Sequence, residues 1–272
     1  MANSTIKRWM GTVAVLPVFV AGPALAAPAL PAYSWTGAYL GANAGGAWGG
    51  FGSNLAVDCS VPGFPPSYIC DPSFSGDAAL LNAAGRGTIN ASGFTGGIQG
   101  GYNWQTGNIV AGIESDFGAF QLRGTRRVDG VLVNSFFGVP FTVTSSASAD
   151  WLFTFRGRLG FTVQPNLLGY LTGGLAVTRI GTTTAYSDNN TSLSPFSGAF
   201  GSTVTKGGFV VGGGAEYALP NNWTVKVEYL YLGFANISAI GAISNNGGYR
   251  QALSTTTDLT AHIARVGINR RF

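Results

Sequence analysis

The chain has 272 residues, and charged residues make up only 10% of them, well below the quarter that is usual for soluble domains. So few charges are atypical of a disordered chain, and 42 glycines with 12 prolines but no Gly-X-Y repeat exclude collagen. The formal net charge of +4 falls to +2 once Lys7 and Arg8 are left out, so the basic composition does not indicate nucleic-acid binding.

The first 26 residues have the pattern of an export signal. Lys7 and Arg8 precede the apolar stretch 10–26, which ends in the small residues of Ala24-Leu25-Ala26. Two prolines interrupt this stretch, which disfavours the alternative of a membrane-anchoring helix. We predict a signal peptide over 1–26, cleaved before Ala27, and a single domain over 27–272.

Period-two alternation, which is typical of β-strands with one apolar face, runs through the rest of the chain. In 93–105, "GFTGGIQGGYNWQ", Phe94, Ile98, Tyr102 and Trp104 share one parity, and polar side chains take the other. Seven more stretches follow the same rule. The eight predicted strands are 35–48, 93–105, 109–120, 151–163, 167–179, 206–219, 223–232 and 260–272.

The connections between these strands alternate in length. Short ones, "TGN", "QPN" and "PNN", follow the second, fourth and sixth strands, and long ones (49–92, 121–150, 180–205 and 233–259) follow the odd strands. Membrane β-barrels sort their connections in this way, with short periplasmic turns and long external loops. The sequence therefore predicts an all-β, eight-stranded, antiparallel up-and-down transmembrane β-barrel. A soluble lectin-like sandwich is the alternative that alternation alone permits.

Tryptophans and charges indicate which face meets lipid. Five tryptophans occupy strand ends, where an aromatic girdle meets the headgroups. With the apolar faces outward, charged side chains in the strands point into the lumen, where opposite charges at similar depth favour a salt-bridged plug. The predicted girdle is Trp35, Trp48, Trp104, Trp151 and Trp223. The predicted lumen network is Glu114, Asp116, Arg156, Arg158, Glu216, Lys226, Glu228 and Arg265, with Glu216 opposite Lys226 and Glu228 level with Arg265.

Cys59 and Cys70 are the only cysteines, and a close pair in an exported chain predicts a disulfide. His262 is the only histidine, so a zinc site of Cys and His ligands is excluded in practice. Glu114 and Asp116 could form a catalytic carboxylate pair, but the arginines opposite them favour a structural role. We expect no cofactor, no metal and no enzymatic activity.

Several segments resemble the small porin-like outer-membrane β-barrel family of alphaproteobacteria, of the RopB type, which is similar to the OmpA transmembrane domain. They include "SWTGAYLGANAGGAWG", "GGIQGGYNWQ", "FRGRLGF", "VGGGAEYAL" and "ARVGINRRF". The resemblance implies an eight-stranded barrel in the outer membrane of a Gram-negative bacterium. It also implies that terminal Phe272 is a signal for the barrel-assembly machinery, although Arg270 replaces the family's usual aromatic residue.

These observations predict a structural outer-membrane protein that contributes to envelope integrity and surface interactions. The lumen has two open interpretations: a plug of salt bridges, which the matched charges favour, or a narrow porin that passes ions or small solutes. The expected partners are outer-membrane lipid, lipopolysaccharide and, during biogenesis, the barrel-assembly machinery. We expect no nucleic acid, and the sequence does not indicate an oligomeric state.

Overall fold

The computed structural model describes residues 33–60, 69–70, 75–133, 138–191 and 194–272. The predicted signal peptide lies outside these residues and stays a prediction. Eight antiparallel strands close into a barrel in which each strand pairs with its neighbours in sequence and β8 pairs with β1. The strands are β1 (Gly37–Asp58), β2 (Gly87–Thr106), β3 (Ile109–Leu132), β4 (Val139–Gln164), β5 (Leu167–Asp188), β6 (Ser197–Ala218), β7 (Trp223–Ser244) and β8 (Arg250–Arg271).

Helix α1 (Ser75–Gly85) lies between β1 and β2. Within the ranges just given, none of the helical segments has the length and hydropathy needed to cross a membrane. The three tight turns fall where they were predicted. Gly107, Asn221 and Asn222 take positive φ angles of 59°, 60° and 61° in two of them, a conformation that glycine and asparagine adopt most readily.

The strands are longer than predicted, and this corrects the sequence-based boundaries. We expected segments of roughly 10–14 residues, whereas the shortest strand, β2, has 20 and the longest, β4, has 26. The extra length lies at the external end, so much of each predicted long connection is strand. The segment 121–150, for example, contains the ends of β3 and β4 paired from Leu122↔Ala149 to Leu132↔Val139.

The extensions were missed because the polarity of the two faces is reversed there. Along the predicted parts of the strands, apolar side chains face outward and form a continuous belt, which we call the apolar band. Its members include Leu40, Ile98, Ile113, Phe155, Leu171, Val211, Val227 and Val266, all of which are exposed. Beyond the apolar band, most inward side chains are apolar, with some buried Ser and Thr, and most outward ones are polar. A search for strands with apolar outward faces therefore fails there.

A β-bulge marks this reversal on two strands, because one extra residue moves the following side chains to the opposite face. In β4 the bulge lies between Ala149 and Leu152, and in β7 it lies between Phe234 and Ile237. Inward residues of β4 therefore have odd numbers before the bulge (Val143, Ala147) and even numbers after it.

The lumen is filled by three layers of side chains. At the periplasmic end lies a layer that we call the periplasmic stopper: Tyr33, Trp35, Val110, Leu168, Tyr170 and Ala218. Charged residues occupy the middle of the apolar band. On the external side of the charged residues, an apolar core of two buried clusters fills the rest of the barrel, and α1, whose Leu81 is fully buried, covers its outer end. Its members include Leu55, Leu132, Phe141, Tyr186, Phe196, Ile243 and Leu253.

Candidate functional site

Four carboxylates and four basic groups meet in the lumen at the level of the apolar band. We call this set the charge cluster, and each member exposes 6% of its surface or less. Five strands contribute, because every second residue of each strand points inward. Its members are Glu114 and Asp116 (β3), Arg156 and Arg158 (β4), Glu216 (β6), Lys226 and Glu228 (β7) and Arg265 (β8).

Glu114 is a central acceptor of the charge cluster. The Lys226 ammonium lies 2.8 Å from each of its two carboxylate oxygens, and the Arg156 guanidinium also donates to Oε1. Arg158 approaches Oε2 to 3.6 Å, and the hydroxyl of Tyr39 donates to the same oxygen at 2.8 Å. A single carboxylate thus receives hydrogen bonds or ion pairs from three strands: its neighbour β4, and β1 and β7, which do not pair with β3.

Asp116 and Glu228 form the second half of the charge cluster. Arg265 bridges them, with Nη2 lying 3.1 Å from Asp116 Oδ2 and 2.6 Å from Glu228 Oε2. Arg156 contacts the same two carboxylates at 2.9 Å and 3.0 Å. Because Arg156 also contacts Glu114, it joins the two halves into one network.

The sequence-derived pairing of Glu216 with Lys226 needs correction at the level of the side chains. The backbone register does place these residues opposite each other, as it does Glu228 and Arg265. However, the Lys226 ammonium extends across the lumen to Glu114, and Glu216 pairs with Arg158 at 2.7 Å. Backbone register does not fix the partner here, because a long side chain in a narrow barrel reaches the opposite wall.

A ring of neutral polar side chains satisfies the remaining oxygens and was not singled out from the sequence. Tyr170 donates to Glu228 at 3.0 Å, Asn269 donates to Glu216 at 2.9 Å, and Gln99 continues the chain by donating to Asn269 at 2.6 Å. Arg158 also stacks over the Tyr170 ring, 4.0 Å from its centroid. These residues share the inward parity of the charges, and that parity is the signal that could have identified them.

The charge cluster is electrically balanced, with equal numbers of acidic and basic groups. Removing a charge from water is costly unless opposite charges and hydrogen bonds replace the lost hydration, and here every member pairs with at least one opposite charge. Among the described residues, no group of three or more His, Cys, Asp or Glu side chains has the arrangement of a metal site.

The prediction that Trp35 belongs to the aromatic girdle is wrong. Trp35 exposes only 1% of its surface and lies inside the periplasmic stopper, where its ring packs edge-on against Tyr33 with centroids 4.9 Å apart. Its backbone N–H donates to Gln105 Oε1 at 2.7 Å, and Gln105 N–H donates to Thr36 Oγ1 at 2.9 Å. Trp35 has the same odd parity as inward-facing Tyr39, so its position at a strand end was a misleading criterion.

The other four tryptophans lie on the outward face. Trp48, Trp104 and Trp223 are exposed, and partly exposed Trp151 packs near Phe117, with ring centroids 5.9 Å apart. The lone histidine, His262, also faces outward, and its Nδ1 lies 2.6 Å from the Tyr229 hydroxyl. Terminal Phe272 is exposed and its backbone N–H donates to the Ala38 carbonyl at 2.9 Å, which continues the β8–β1 ladder.

Cys59 and Cys70 are joined by a disulfide with Cα atoms 5.7 Å apart, as the sequence predicted. The bond closes the segment that follows β1 at the external end of the barrel. Beside it, the side-chain and backbone groups of Ser60 donate to Asp58, and these hydrogen bonds lower the pKa of that carboxyl group.

Comparison with known proteins places this barrel in a family. Residues 18–272 match the model of the outer membrane protein beta-barrel domain. The chain is 31% identical over 243 residues to a 31 kDa outer-membrane immunogenic protein of Brucella melitensis, a match that covers 88% of this chain and 85% of the relative. It is 29% identical over 208 residues to a 22 kDa outer membrane protein of Rhizobium leguminosarum, covering 76% and 68%.

Solved structures give weaker likenesses. The outer membrane protein OprG from Pseudomonas aeruginosa aligns with a TM-score of 0.41 and 13% identity over 87% of this chain and 97% of that one. Neisserial surface protein A aligns with a TM-score of 0.35 and 14% identity over 87% and 98%. The fold and its lumen define a bacterial outer-membrane β-barrel. The chain belongs to the outer membrane protein beta-barrel domain family.

Proposed function

We propose that the protein is a non-catalytic, structural β-barrel whose lumen is closed, and that it contributes to envelope integrity and to interactions at the cell surface. The observation that carries this proposal is the charge cluster. Four acids and four bases, none more than 6% exposed, pair with one another across the lumen of an eight-stranded barrel. An ion crossing the lumen would have to break several of these pairs.

The layers on either side of the charge cluster support a closed lumen. Trp35, at 1% exposure, fills the periplasmic end, and the apolar core beneath α1 fills the external end. An apolar layer is a poor path for ions because no group in it replaces their hydration. The alternative, a narrow porin, would require all three layers to move.

The arrangement of nucleophiles and bases also favours a structural role over catalysis. Glu114 and Asp116 are held by arginines inside the lumen, and His262 lies on the outward face beside Tyr229. The two carboxylates and the histidine therefore do not form the exposed acid–base pair that hydrolysis at the rim of the barrel would need.

The surface role rests on the external half of the barrel. Its outward face is polar, and it extends the strands beyond the apolar band, so it is accessible from outside the cell. The Brucella relative is described as an outer-membrane immunogenic protein. We also propose that Phe272 serves as the assembly signal and that lipopolysaccharide surrounds the external edge of the apolar band.

Single-channel recording in planar bilayers tests the closed lumen. The unmodified protein should insert without steady conductance, because the charge cluster and the two flanking layers block the path. The Lys226→Ala variant, which leaves Glu114 short of one cation, should give more frequent brief openings. Arg250→Ala, which changes an exposed residue at the external end of β8, is the control and should behave like the unmodified protein. Large, steady, ion-selective currents through the unmodified protein would establish the narrow porin instead.

A further inference from the structure

A polar groove of about 550 Å³ crosses the outward face of β3, β4, β5 and β6 just beyond the apolar band. We call it the outer groove. It is concave because the outward residues there are small, and Gly181 lies at its centre between Ser148 and Thr203. Its lining carries several hydroxyl groups and one guanidinium: Arg123, Thr125, Ser146, Ser148, Thr183 and Thr203.

Arg123 lines the end of the outer groove that is nearer the membrane, and Asp150 and Arg179 lie just beyond that end. The Arg123 side chain is 71% exposed and lies 3.8 Å from Asp150, whose side chain is 48% exposed. Exposed Arg179 lies beside Asp150, since the β4 bulge falls between the pairs Ala149↔Ile180 and Leu152↔Thr178. An exposed ion pair at this distance contributes little stability, so an anion that offers better geometry can displace Asp150 from Arg123.

The position of the outer groove relative to the apolar band limits what can occupy it. Asp150 adjoins Trp151, whose ring packs near Phe117 of the apolar band. Ser148 lies three residues from Trp151 towards the external end of β4, which is about 10 Å along a strand. A molecule in the outer groove therefore contacts lipid-facing aromatic rings at one end and hydroxyl groups at the other.

We propose that the outer groove binds the phosphorylated sugar headgroup of an outer-leaflet glycolipid. Arg123 and Arg179 contact its phosphate, the Ser and Thr hydroxyls contact its sugar, and the acyl chains lie along Phe117 and its neighbours in the apolar band. Guanidinium groups suit phosphate because they donate paired, charge-assisted hydrogen bonds. Because the site is on the outer wall of the barrel, this proposal can be tested independently of whether the lumen conducts ions.

Binding of lipid A tests this proposal. The full chain is reconstituted in phosphatidylcholine nanodiscs, and the Kd for diphosphorylated lipid A is measured for the unmodified protein and for Arg123→Gln/Arg179→Gln. The double variant should bind roughly tenfold more weakly, equivalent to about 1.4 kcal/mol. Arg250→Gln, which removes an exposed arginine far from the outer groove, should leave the Kd unchanged.

Two further measurements separate a specific site from general attraction of anions. Asp150→Asn removes the competing carboxylate and should tighten binding, which also keeps the test informative if the double variant assembles poorly. Dephosphorylated lipid A should bind the unmodified protein and the double variant equally. The proposal is overturned if Arg250→Gln weakens binding as much as the double variant does, or if Asp150→Asn has no effect.

Discussion

At the scale of single residues, Glu114 shows how the charge cluster couples opposite walls of the barrel. Its carboxylate, on β3, receives the Lys226 ammonium from β7 and guanidinium groups from β4. A buried carboxylate that loses one of these cations is left under-compensated in a confined space. Removing one partner of such a pair commonly costs several kcal/mol, whereas removing both is milder.

Lys226→Met should therefore lower the free energy of unfolding by about 3 kcal/mol, because the Lys226 ammonium contacts both oxygens of Glu114. Adding Glu114→Gln should recover part of this loss. Adding Glu216→Gln restores the same net charge but should recover less, since Glu216 pairs with Arg158. Urea unfolding in lipid vesicles measures all three, and equal recovery by the two second changes would mean that only net charge matters.

The exposed carboxyl group of Asp129, in the external part of β3, offers a second test. The Thr142 hydroxyl donates to it at 2.6 Å and Arg127 pairs with it at 3.0 Å, and together they lower its pKa. A carboxyl group with a lower pKa in the folded state stabilises the fold at neutral pH, and this contribution is lost as the pH falls through the folded-state pKa.

Thr142→Ala should raise the pKa of Asp129 towards its ordinary value, because the hydrogen bond from Thr142 is the main cause of the shift. NMR titration of the side-chain carboxyl carbon follows this directly. Thr144→Ala, at the next outward position of β4, is the matched control and should leave the titration unchanged. A pKa that does not respond to Thr142→Ala would assign the shift to Arg127 alone.

At the scale of elements, the segment just before β1 behaves as part of the barrel interior. Tyr33 and Trp35 enter the periplasmic end, and Arg271 of β8 stacks over the Tyr33 ring, 4.3 Å from its centroid. The reciprocal hydrogen bonds between 35–36 and Gln105 fix this segment to β2. The hydroxyl oxygen of Tyr33 is buried, so this segment closes part of the periplasmic end of the barrel.

Trp35→Ala should destabilise the protein by about 3 kcal/mol, the cost of emptying a large buried aromatic site. Trp104→Ala is the matched control, because Trp104 is 51% exposed on the outward face and leaves no enclosed cavity when it is shortened. Unfolding in lipid vesicles should therefore separate the two variants. A cost for Trp35→Ala no larger than that for Trp104→Ala would show that the periplasmic stopper contributes little to stability.

At the scale of the whole molecule, the sequence predicted the membrane half of the barrel much better than the external half. The alternation of apolar and polar residues located the membrane-level segment of all eight strands. Within these segments, odd or even position alone assigned the charged residues to the inward face. The external half has a conventional apolar interior, as Phe141 and Leu253 show, and short bulges shift its parity. A single pattern, in which apolar residues face outward at every second position, does not hold in both halves of the barrel. The strand extensions were therefore interpreted as loops.

The ion-pair partners within the charge cluster could not be predicted from the sequence for a related reason. Alternation assigns a face, and turn length assigns a register, but neither describes the far wall of a closed ring. The reach of Lys226 to Glu114 depends on the barrel's closure and width, which emerge only when β8 meets β1. The burial of Trp35 likewise depends on the open end that closure creates.

The distribution of the charge cluster along the chain has a consequence for assembly. In number, the two acids of β3 equal the two bases of β4, the one acid of β6 equals the one base of β8, and β7 carries one of each. The chain can therefore be divided into two contiguous blocks, β3–β4 and β6–β8, whose contributions to the charge cluster cancel. Insertion block by block would spare the bilayer an unbalanced charge at each stage. The ion pairs that join the two blocks, such as Arg156 with Glu228 and Arg158 with Glu216, would form last, as the ring closes.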